Sequence, residues 1–107
     1  LQSLGVPVTV EPGNHDVPVH RPLSRLFRPL AAYRRWIDAE VEPAWADDEL
    51  VVIGLASAHG LTRQGGRLGG AALSRACRRA GEAAPGAVRV AVIHHPPVMP
   101  AGTKPSK

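Results

Sequence analysis

Two short stretches of this chain concentrate donor chemistry. Gly13-Asn14-His15-Asp16 puts an amide, an imidazole and a carboxylate in consecutive positions, and His94-His95-Pro96-Pro97 puts two imidazoles side by side. Each follows an apolar run, VPVTV at 6–10 and AVRVAVI at 87–93. Ligands of open α/β sheets gather beyond the carboxyl ends of the strands, so parallel neighbouring strands here would turn Asn14, His15, Asp16, His94 and His95 toward one crevice. An imidazole nitrogen and an amide oxygen are neutral donors suited to a divalent ion such as manganese, iron or zinc. A doubly charged ion in a partly dry cleft also needs carboxylates, and near these stretches only Glu11 and Asp16 supply them.

The elements that must position these groups follow from periodicity. VPVTV predicts a short strand, with Pro7 near its start because proline donates nothing to a ladder. Between Arg21 and Ile37 the apolar residues Leu23, Leu26, Phe27, Leu30 and Ile37 fall on one helical face, and Pro29 should break or kink that helix. DAEVEPAWADDE reads as an irregular connection, and ELVVIGLAS as a central strand covered on both faces. SAHGLTRQGGRLGG is a glycine-rich loop. AALSRACRRA then predicts a second helix, with Ala72, Leu73, Ala76, Cys77 and Ala80 on one side and Arg75, Arg78 and Arg79 on the other. AVRVAVI is the third strand. Strands alternating with helices make the fold class α/β, a sheet layered with helices.

With 107 residues the chain is one domain or part of one, and no apolar run approaches the ~20 residues that cross a bilayer. The first residues carry no basic segment followed by a long apolar block, so a cytoplasmic location without a signal peptide is the default expectation. The formal charge of +4 comes from 13 basic residues against 9 acidic ones, and 11 of the basic residues are arginines. These arginines are scattered along helical segments without interleaved aromatic side chains to stack bases, so solvated helix faces are expected and specific nucleic-acid binding is not. Cys77 reads as a small buried or half-buried thiol, and Trp36 and Trp45 as core or helix-docking residues.

Gly13-Asn14-His15-Asp16 after a short strand, followed some eighty residues later by a strand ending in His94-His95-Pro96-Pro97, resembles the middle of the calcineurin-like metallophosphoesterases. PLSRLFRPLAAYRRWI, the ELVVIGLAS strand and the GGRL turn are also similar to bacterial phosphohydrolases of the cyclic nucleotide phosphodiesterase type. The resemblance implies a β-sandwich flanked by helices, a two-metal centre and hydrolysis of phosphodiester or phosphomonoester bonds by a metal-activated water. Carried over by position, it implies that Asn14 and His94 ligate one divalent ion and that His15 contacts the scissile phosphate and assists the leaving group. Asp16 would orient the turn from behind the ligands, and Gly13 would let the backbone turn sharply. His95 is left open between a supporting contact and an exposed loop residue; His20 and His59 match no family position and read as surface loop residues, His59 bordering a substrate pocket at most.

Of the family's motifs in chain order, D-x-H, G-D and G-H-x-H do not occur in these 107 residues. The chain is therefore expected to be an internal portion of a phosphoesterase domain, inactive by itself, with apolar sheet edges left uncovered. The expected partner is a phosphate-ester substrate, cyclic nucleotides among the candidates, and no membrane. A different class remains as an alternative: a non-catalytic truncated or degenerate module whose arginine-rich helices bind an acidic partner or nucleic acid.

Overall fold

The computed structural model describes residues 5–61, 65–98 and 102. It is a mixed α/β arrangement of a three-stranded sheet with helices. In chain order the elements are α1 (Pro22–Phe27), α2 (Ala31–Trp36), β1 (Ala44–Ala46), β2 (Leu50–Leu55), α3 (Gly70–Gly81) and β3 (Val88–Ile93). The strand order is β1-β2-β3, with β1 antiparallel and β3 parallel to β2. No helix among the described residues is long and apolar enough to cross a membrane.

α1 and α2 are the two halves of the predicted Arg21–Ile37 helix. Proline fits the first helical turn, so Pro22 opens α1. Pro29 then bars Arg28 from helical geometry, and the chain restarts as α2 two residues later. α2 docks through Tyr33, which is 2% exposed and donates its hydroxyl to the Val10 carbonyl at 2.7 Å. Removing that donor leaves a part-buried carbonyl without its partner, so Tyr33→Phe should cost about 1 kcal/mol. Urea denaturation of the two proteins measures it.

β2 is the centre of the sheet, as its apolar run predicts. Val51, Ile53 and Leu55 point to one face, where α3 lays Ala76 against them, with Leu68, Ala80, Ala83 and Ile93 closing the cluster. Small alanines on α3 allow this close approach, and the helix is tied down on its flank by Glu42. That carboxylate pairs with Arg75 at 2.8 Å, and the Glu42 carbonyl accepts from Arg79 at 2.6 Å. Several arginines thus serve the fold: Arg25 donates to the Gly60 carbonyl at 2.7 Å, and Arg89 to the Ala80 and Ala87 carbonyls at 2.8 Å each.

Four local expectations are corrected. VPVTV is not a strand: it has no partner among the described residues, Pro7 lacks an amide proton, and Val6 and Val8 stay exposed. A strand needs a neighbour more than it needs β-branched side chains, and here Tyr33 alone takes the Val10 carbonyl. The stretch expected to be irregular contains β1, because Trp45 can pair opposite Val52 at the free edge of β2. On α3 the buried stripe is narrower than predicted: Ala72 and Ala76 are buried, whereas Leu73 and Cys77 are exposed. Trp36 is 77% exposed, and its ring lies under the Arg35 guanidinium, 5.0 Å away, instead of in a core.

The sheet face opposite α3 carries Val88, Val90 and Val92, all exposed. The glycine-rich connection between β2 and α3 is irregular over its described residues, and positions 62–64 of that predicted loop lie outside them.

Candidate functional site

Residues 11–13 leave the extended N-terminal segment and enter a single 3-10 turn, Asn14–Asp16. Two contacts with Gly13 close it. The Asp16 amide donates to the Gly13 carbonyl at 3.2 Å, and the Gly13 amide donates to the Asp16 carboxylate at 2.8 Å. Asp16 therefore spends its charge on the turn that presents Asn14 and His15. His15 projects from this turn into solvent.

The other half of the site follows from strand register. β2 and β3 run parallel with Leu50 opposite Val88 and Leu55 opposite Ile93, so the two strands end level. The loops that leave them start side by side. His94 comes first and crosses to the 3-10 turn, where its Nε2 donates to Asn14 Oδ1 at 3.0 Å. The two residues are 80 positions apart in the chain. Gly13 makes the approach possible: a Cβ there would sit 2.9 Å from His94 Cε1 and 3.1 Å from Nδ1.

His95 turns the other way and is buried, so it is not the exposed loop residue that was one of its two expected readings. Its Nδ1 lies 2.8 Å from Ser57 Oγ, and its ring meets the His94 ring edge-on with centroids 4.8 Å apart. Burial lowers its pKa from the ordinary histidine value, and the neighbouring His94 and His59 lower it further. His59 is half-buried, its Nδ1 accepting the Leu61 amide at 3.1 Å. Burial, then Arg67 and Arg25, hold its pKa low as well. His20 is exposed in its loop, as predicted.

Glu11, one of the two nearby carboxylates, does not join Asn14 and His94 among the contacts described. It folds inward over Gly54 of β2, where an added Cβ would lie only 2.5 Å from its Oε2. Among the described residues neither carboxylate oxygen has a partner in good hydrogen-bond geometry, although both are shielded from water. Burial, followed by the nearby Glu42 carboxylate, pushes its pKa up to about 7; the Leu55 amide, poorly aligned with the carboxylate, offsets only part of that rise.

The site thus assembles two neutral donors, and no group of three or more His, Cys, Asp or Glu side chains placed to hold a metal ion occurs among the described residues. The 3.0 Å between Asn14 Oδ1 and His94 Nε2 is the length of the hydrogen bond that joins them. It also equals the spacing of two adjacent ligands at right angles, each about 2.1 Å from an octahedral ion, and is shorter than the roughly 3.4 Å that tetrahedral zinc sets. Ser57 was not singled out by motif reasoning. The signal available for it is positional: it stands two residues past the end of β2, as His95 stands two residues past the end of β3. Comparison with known proteins finds no matching family model, no matching curated protein and no matching solved structure.

Proposed function

We propose that this chain carries part of the metal centre of a calcineurin-like metallophosphoesterase, a β-sandwich enzyme flanked by helices that hydrolyses phosphate esters. In this reading Asn14 and His94 are two donors to one divalent ion, manganese, iron or zinc, of the two that the complete centre holds. His15 reaches the ester and donates to the leaving group. The observation that carries the reading is the 3.0 Å separation of Asn14 Oδ1 and His94 Nε2 across 80 residues. A hydrogen bond of that length between exposed side chains is also what an unliganded donor pair makes.

When bound, paired ions clamp the phosphate and lower the pKa of a water for in-line attack. The chain's own contributions are more limited. Asn14 and His94 orient one ion, Asp16 steadies the turn that carries Asn14 and His15, and Arg25 and Arg67, the two positive charges beside His59, favour an anionic substrate. Phosphodiesters, including cyclic nucleotides, and phosphomonoesters are the substrate class. Anionic ligands for the ions are not among the residues brought together, so the 107 residues are expected to bind one ion weakly and turn over no aryl phosphodiester.

Manganese added in trace amounts tests this, because the paramagnetic ion broadens only the NMR signals near it. The expected result is early broadening of the Asn14 side-chain amide and the His94 ring, reduced at least tenfold in sensitivity by Asn14→Ala or His94→Ala. Broadening that starts at Asp47, Asp48 and Glu49, or that ignores both substitutions, overturns the assignment.

A further inference from the structure

His94 is an exposed side chain whose Nε2 faces Asn14 Oδ1 at 3.0 Å, and the groups behind its turn bear on that direction. Ser57 is the buried group at the base of its turn, 1% exposed. Its hydroxyl makes two contacts with one residue: Oγ lies 3.3 Å from the His95 amide nitrogen and 2.8 Å from His95 Nδ1. An amide can only donate, so Oγ accepts from it. Oγ keeps a second lone pair, so its contact with Nδ1 can run in either direction; the direction that leaves fewer groups unpaired sends the hydroxyl proton to Nδ1 and puts the ring proton of His95 on Nε2. The opposite assignment strands two groups, the Ser57 proton and the Nε2 lone pair, whereas this one strands only Nε2, which has no partner among the described residues.

One hydroxyl therefore fixes both the backbone and the ring of His95. The fixed ring stands at 87° against the His94 ring, and Gly13 borders the opposite approach. His94 is confined between them with Nε2 aimed at Asn14.

We propose that Ser57 is a positioning residue for His94, holding the His94–His95 turn so that Nε2 faces Asn14 Oδ1. Its consequence for metal binding rests on the reading above that Asn14 and His94 share an ion; its consequence for the His94 ring does not. Ser57 touches neither donor, and a group that orients a ligand from behind typically changes metal affinity by about 10–100-fold when removed.

The test uses nitrogen-15 imidazole spectra of the metal-free chain, then zinc titration, for the native protein, Ser57→Ala and Ser57→Thr. The native protein is expected to show His95 protonated on Nε2. Ser57→Ala should release His94 from its bonded position toward an averaged ring and weaken zinc binding about tenfold, and Ser57→Thr, which keeps the hydroxyl, should restore both. A native His95 protonated on Nδ1 overturns the proposal, as does an unchanged His94 ring in folded Ser57→Ala. Should Ser57→Ala not fold, the native tautomer decides: Nε2 sustains the proposal and Nδ1 ends it. A chain that binds no zinc while Ser57→Ala still loosens His94 refutes the metal site and leaves the positioning role standing.

Discussion

Gly13→Ala is expected to swing the His94 ring away from Asn14 and weaken manganese or zinc binding at least tenfold while barely changing stability. The added Cβ would lie 2.9 Å from Cε1, 3.1 Å from Nδ1 and 3.2 Å from Nε2 of His94, so it meets the whole near edge of the ring. Carbon atoms do not pack stably that close, and one partner must give way. The backbone has no reason to do so: Gly13 has φ −104° and ψ −178°, an extended conformation open to any residue. The ring is exposed and can rotate into water, which keeps the folding cost within about 0.5–1 kcal/mol. Urea denaturation paired with zinc titration separates the two effects. Metal affinity unchanged in a folded Gly13→Ala protein would show that the Asn14–His94 contact plays no part in binding an ion.

Glu11→Gln is expected to stabilise the protein above neutral pH and to flatten its pH dependence. The Glu11 pKa is displaced from 4.5 to about 7 in the folded chain. A carboxyl whose folded value is raised keeps its proton longer in the native state than in the unfolded one. The contribution of this group is therefore fully present below about pH 4.5, declines as the pH rises, and has been lost by the time the pH passes about 7. Linkage for a displacement of this size corresponds to about 3 kcal/mol at full burial. Glu11 as a residue is only half-buried, and screening by nearby solvent reduces the expected figure to about 1–2 kcal/mol. Glutamine removes the charge and keeps the volume, so urea midpoints of the two proteins should coincide near pH 4.5 and diverge toward pH 8. Midpoints that stay parallel across that interval would mean that the carboxylate finds solvation on ionising.

The pH effect has a structural origin that the residue's neighbours in the chain conceal. Glu11 precedes Pro12 and Gly13 in what reads as a polar turn, yet its carboxylate crosses to Gly54, where β2 offers a hydrogen in place of a side chain. The missing Cβ of one residue thus accommodates a buried charge 43 positions earlier. Trp36 shows the reverse case. A large aromatic on the apolar side of a helix reads as core, but α2 ends at that residue, and Tyr33, one turn earlier, already makes the docking contact.

What the sequence determined by itself is local. Pro22 and Pro29 mark where α1 opens and where it gives way to α2, the apolar run at 50–55 marks a central strand, and the alanines of α3 mark a close-packed face, because each follows from backbone dihedrals or the period of a single element. The residue types at 13–16 and 94–97 likewise name a donor chemistry without any fold. Tertiary structure alone decided that Asn14 and His94 meet, that Ser57 takes His95, and that VPVTV stays unpaired. These outcomes depend on the parallel register of β2 and β3, where a slip of one residue would turn His94 to the opposite face, and no local rule fixes which distant segment becomes a strand's neighbour.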